Sequence, residues 1–165
     1  RPAIFPLEFE GAYVAYEDEC AKNPGVLVSF EIDDFDGVPA TFGLSKYRSP
    51  LNPRAMLYVG GIDIPAKDFS YHLTVESAER DEIGSRETQV RELRQQQGLP
   101  WPVGSDGADR PTVTVSDAPE MLPSDDEEYD PLHPLHALTI VRRTLRQILA
   151  SGQIDDCVKL AAQRH

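Results

Sequence analysis

The sequence predicts an α+β protein: an antiparallel β-rich body (residues 1–100) ending in a surface helix, an acidic linker (101–130) and a C-terminal helical hairpin (131–165). Three observations carry this division. Runs of β-branched and aromatic residues follow one another through residues 1–80 with no helix-length segment between them, which favours a meander over a βαβ sheet. Residues 101–130 hold 9 acidic groups against a single basic one, Arg110, and few core-forming side chains. Beyond residue 131 the apolar positions recur at helical spacing.

Each element has its own local reason. Leu7, Phe9 and Tyr13, with the acids Glu8 and Glu10 between and beside them, predict a strand with one wet face. Asn23-Pro24-Gly25 is a turn by composition, and the run 26–32 (VLVSFEI) is the strongest strand signal in the chain. Asp36-Gly37 permits the positive φ of a tight hairpin, with residues 41–44 returning antiparallel. Pro50 and Pro53 then interrupt regular structure, because each lacks an amide donor and restricts its predecessor. Residues 56–64 and 71–75 continue the meander, and Gly60-Gly61 marks a bulge or a close backbone approach. Phe30 and Leu73 are expected in the core of this body. Ser85 is placed to cap a helix over 86–97 in which only Val90 and Leu93 are apolar. Gly98 suits the left-handed cap at its end, and Pro100 stops it.

In the tail, Leu135, Leu138, Val141, Leu145, Ile148 and Leu149 form one apolar stripe, with Arg142, Arg143 and Arg146 beside it. Ser151-Gly152 breaks that helix. A second one follows through Ile154 and Val158, with Asp155 and Asp156 at the positive end of its dipole. Such a stripe must be covered by the body, by a second copy or by a partner. The expected association surface is therefore Leu138, Val141, Leu145 and Ile148, with Arg142 and Arg146 as a basic rim able to receive residues 125–130 of a second copy.

Few constellations point to chemistry. Asp33, Asp34 and Asp36 offer oxygen ligands for Mg²⁺ or Ca²⁺, which makes a small metal-dependent hydrolase or nuclease the alternative function. The remaining ligands of a calcium loop are missing, and aspartate is common in turns for backbone reasons. His133 and His136 lie three apart after Asp130, a zinc-like composition without a third or fourth ligand. His72 reads as a strand-face residue. Nothing matches a phosphate loop, a dinucleotide fingerprint, a nucleophile elbow or paired Cys-x-x-Cys elements. No catalytic residue, metal or cofactor is assigned.

The net charge of -12 disfavours nucleic acid as a partner, since phosphate repels a surface of this sign. No apolar run approaches the ~20 residues of a membrane helix, and no retained signal peptide is expected. Two well-separated cysteines, Cys20 and Cys157, fit reduced thiols in a cytoplasmic protein. The expected function is a non-catalytic interaction or assembly component of a larger intracellular or viral complex, bound to a protein partner or to copies of itself.

Overall fold

A four-stranded antiparallel sheet organises the chain, with strands in sequence order, in the computed structural model describing residues 9–66, 69–80, 83–102 and 118–162. The strands are β1 (Gly25–Phe35), β2 (Val38–Arg48), β3 (Met56–Pro65) and β4 (Ser70–Ala78). The fold is α+β, with α1 (Phe9–Lys22) before the sheet and α2 (Ser85–Gln96), α3 (Ala137–Ser151) and α4 (Asp156–Ala162) after it. Two short 3-10 turns, Pro123–Asp125 and Glu127–Leu132, precede α3.

The meander follows from its turns. Asp36 and Gly37 both take positive φ, 51° and 84°, between Phe35 and Val38, which are paired. That two-residue loop matches the twist of the flanking strands and sets the register of β1 against β2. The β2–β3 and β3–β4 ladders run without a register shift, so Gly60-Gly61 forms no bulge. Gly60 instead permits close approach: a Cβ there would lie 2.6 Å from Leu145 Cδ1 and 2.8 Å from Val141 Cγ1.

One sheet face carries the main core. Phe42, Leu44, Tyr58, Ile62 and Ile64 project to it, and Leu138, Val141 and Leu145 of α3 close over them. From Leu138 to Leu149 the apolar stripe of the tail thus packs on the chain's own sheet, whereas Leu135 stays exposed. The opposite face carries α1, whose buried positions Ala12, Tyr16 and Cys20 recur at four-residue spacing. That spacing makes 9–22 a helix where alternation of acids had suggested a strand; Leu7 and Glu8 lie outside the described residues. Phe30 lies on this second face, half-buried against Tyr13 and Tyr16, with ring centroids 5.9 and 5.1 Å away. Leu73 is 41% exposed, because β4 is the outer strand of the sheet and nothing among the described residues covers it there. Neither residue belongs to the main core, contrary to expectation.

The helix after the body begins at Ser85 itself, with Gly84 as the cap residue. It ends as its glycine predicts: Gly98 has φ 70°, Gly98 N–H donates to the Gln95 carbonyl at 3.1 Å, and Leu99 N–H donates to the Arg94 carbonyl at 2.8 Å. The surface assignment holds less well. Arg86 is fully buried and donates to Ser124 O at 2.6 Å, Thr139 Oγ1 at 2.9 Å, Asp126 O at 3.0 Å and Asp130 Oδ1 at 2.9 Å. The guanidinium ties α2 to the 3-10 turns and to α3.

The acidic segment therefore divides. Residues 103–117, with Arg110, lie outside the described residues; residues 118–130 are built into the protein. Asp125 is buried and pairs at 2.5 Å with the equally buried Lys46 of β2. Asp130 accepts from both Arg86 and Arg142, and Glu127 pairs with Arg146. The complementarity expected between the arginines of one copy and residues 125–130 of another is satisfied within a single chain.

Candidate functional site

The expected association residues sit in the interior or face it. Leu138 and Val141 have no exposed surface, Leu145 is buried, and Ile148 packs against the same core. Arg142 is buried on Asp130 and on the Asp125 carbonyl, and only Arg146 of the supposed basic rim reaches solvent. The stripe is a folding surface, since a helix with this pattern buries whichever apolar face is nearest, and here that is the sheet.

The aspartates of the first hairpin do not converge. Asp34 Oδ1 accepts from Gly37 N–H at 2.8 Å, which is a turn contact. Asp36 turns to the tail, accepting from Ile154 N–H at 2.8 Å and pairing with Lys159 at 2.8 Å, and both contacts hold its carboxyl below the usual aspartate range. These carboxylates fasten the hairpin and α4.

A different cluster does converge. A groove of about 920 Å³ opens between the C-terminal end of β4, the start of α2 and the segment 132–137. Glu79 continues past β4, with its N–H on the Met56 carbonyl at 2.9 Å and its Oε2 accepting from Met56 N–H at 2.8 Å. Across the groove His136 is the N-cap of α3: its Nδ1 accepts from Leu138 N–H at 3.2 Å. That bond leaves the ring proton on Nε2, which lies 3.0 Å from Glu79 Oε1 and donates to it. Glu87 comes in from the first turn of α2. One ligand atom each from Glu79, Glu87 and His136 falls within 4.8 Å of the others.

This corner holds polar atoms without partners among the described residues. Among the described residues, buried Glu87 Oε2 has no hydrogen-bond partner, and neither has the hydroxyl of Tyr58, which is fully buried with its ring edge-on to His136 at 5.5 Å. Burial raises the Glu87 carboxyl above its ordinary range, and the charge of Glu79 adds to the shift. The Tyr58 phenol is raised too, by burial first and then by the charges of Glu87, Asp125 and Glu79. Sequence reasoning reached His136 but paired it with His133, which is not in the cluster. Glu79 and Glu87 are brought in by the end of one strand and the start of a helix, and no local spacing announces that meeting.

Beside the groove, β4 is an unusually open edge. Among the described residues no strand pairs with its outer side. Its nine residues, SYHLTVESA, contain no proline, no lysine and no bulge, and Leu73 and Thr74 are exposed. The other edge strand, β1, is guarded by a register irregularity between Leu27 and Ser29 and by exposed Glu31, Asp33 and Asp34. At the end of β4 the groove is flanked by exposed apolar side chains: Leu132 is 60% exposed and Leu135 82%.

The second sheet face holds a smaller polar chain. Tyr16 donates its hydroxyl to Asp63 Oδ2, and His72 Nδ1 lies 2.7 Å from Asp63 Oδ1. The hydrogen bond to Asp63 lifts the His72 pKa above its ordinary 6.5, and partial burial opposes the lift. A raised histidine stabilises the fold fully below about pH 6.5, and the contribution fades as pH climbs through the folded value. With His72 half exposed that contribution stays under about 1 kcal/mol. NMR titration should give His72 an apparent pKa above 6.5 that falls back in Asp63→Asn; an unchanged value in the variant would remove the pair.

No protein-family model, curated protein or solved structure matches this chain.

Proposed function

We propose that the chain is a non-catalytic protein-binding module that receives an extended segment of a partner protein along β4. The observation that carries this reading is the unpaired outer edge of β4. A nine-residue strand without proline, lysine or a bulge, whose one carboxylate is Glu76, offers a row of main-chain donors and acceptors to an incoming strand. Main-chain pairing supplies affinity in such complexes, and side-chain pockets supply selectivity. Here the flanking groove supplies them: Leu132 and Leu135 present apolar contacts, while the exposed Glu76 is acidic. The segment that fits therefore alternates apolar and basic side chains, in keeping with a chain of net charge -12. The tail helices contribute by holding the groove open, not by meeting the partner with their stripe.

Selection of random decapeptides displayed against the intact chain tests this. Recovered sequences should combine apolar and basic residues, and their binding should fall at least tenfold in Thr74→Pro, which removes an amide donor from β4. Circular dichroism of the variant should stay that of the wild type. Peptides that bind Thr74→Pro equally well would place recognition elsewhere. A wild-type dimer that Thr74→Pro dissociates would put a second copy on the edge instead of a partner segment.

A further inference from the structure

We propose that Glu79, Glu87 and His136 form a binding site for a single first-row divalent cation, of which Zn²⁺ is the representative. The argument begins with donor chemistry. One imidazole and two carboxylates make a mixed nitrogen–oxygen set, which suits zinc and its neighbours better than Mg²⁺ or Ca²⁺. Around a tetrahedral ion with ~2.0–2.1 Å bonds, ligand atoms stand roughly 3.3–3.4 Å apart. The three atoms here lie within 4.8 Å of one another, and the His136–Glu79 pair is already at 3.0 Å, so closing the site needs side-chain adjustment only.

A second observation comes from Tyr58. Its ring packs edge-on to His136, and its buried hydroxyl has no hydrogen-bond partner among the described residues. A buried hydroxyl without a partner costs about 1–3 kcal/mol. A carboxylate turned onto a cation, or a water on that cation, gives the phenol an acceptor. Glu87 Oε2, also without a partner, gains the cation itself. Three elements are brought together at this point: the end of β4 through Glu79, α2 through Glu87 and α3 through His136.

The N-cap makes occupancy visible. In this structure Nδ1 accepts from Leu138 N–H, and the ring proton sits on Nε2. Zinc takes the Nε2 lone pair only when the imidazole, still neutral, carries its proton on Nδ1. The ring then no longer accepts from Leu138, and the first turn of α3 loses that capping bond. The ion thus exchanges a helix cap for a coordinate bond, and the Leu138 amide reports the exchange.

The test is calorimetric titration of the tag-free full chain with ZnCl₂, followed by amide NMR. One ion should bind per chain, and the Leu138 amide should shift on binding. Glu87→Gln and His136→Asn should each weaken binding at least tenfold. Asparagine is chosen because it is itself a good N-cap and keeps α3 capped. His133→Ala, which alters the neighbouring histidine outside the cluster, should bind within twofold of wild type. Thr74→Pro should also bind zinc normally, which separates this site from the strand-addition reading. Absence of saturable binding up to millimolar zinc would overturn the proposal. So would binding that survives Glu87→Gln and is lost in His133→Ala.

Discussion

Replacing Asp125 with alanine should destabilise the protein by about 3–5 kcal/mol. Lys46 and Asp125 are each 1% exposed in their side chains and lie 2.5 Å apart between β2 and the first 3-10 turn. Removing the carboxylate leaves an ammonium buried without a counter-charge. It also removes the acceptor that Leu122 N–H uses at 2.8 Å. In a domain of this size the loss corresponds to roughly 10 °C in melting temperature. The double variant Lys46→Met, Asp125→Leu should recover most of it, since replacing both charges with apolar groups of similar volume is often neutral. Urea unfolding of the two variants beside the wild type decides the matter. A cost below about 1 kcal/mol for Asp125→Ala would mean the pair is solvated like a surface ion pair.

Leu138→Ala should cost about 2–5 kcal/mol and leave the oligomeric state untouched. Leu138 has no exposed surface and sits among Tyr58, Ile62 and Val141 in the one core that joins α3 to the sheet. Truncation opens a cavity that a sheet on one side and a helix on the other cannot both collapse to fill. Denaturant unfolding measures the cost, and sedimentation of the same samples measures assembly. A variant of normal stability and altered assembly would return the stripe to the surface.

How much of this was legible in the sequence depends on the range of the interaction involved. The hairpin at Asp36-Gly37, the helix end at Gly98 and the break at Gly152 are local backbone events, and each lies where its residue type places it. Strands with β-branched runs were equally plain. The first helix was not, because Glu8 and Glu10 mimic strand alternation while Ala12, Tyr16 and Cys20 carry the four-residue spacing that decides. Residues 118–130 were misread for a stronger reason. An acidic segment is expelled into water unless cations meet it, and its cations, Lys46, Arg86 and Arg142, come from three distant elements. Composition records the charge but not the partners. The same holds for the groove: His136 stood out, whereas Glu79 and Glu87 look like two acids among many until the topology delivers them to one corner.

The order in which the core is completed has a consequence for synthesis. Strands β1 to β4 are finished by residue 78, yet the helix that covers their apolar face ends only at residue 151. A nascent chain of that intermediate length displays Phe42, Leu44 and Ile62 before α3, the helix that packs on them, has been made. At roughly 5–20 residues per second, translation leaves that face bare for several seconds. Messages truncated between these points would yield a sticky half-sandwich, so chaperone demand for this protein should concentrate on the interval before α3 leaves the ribosome.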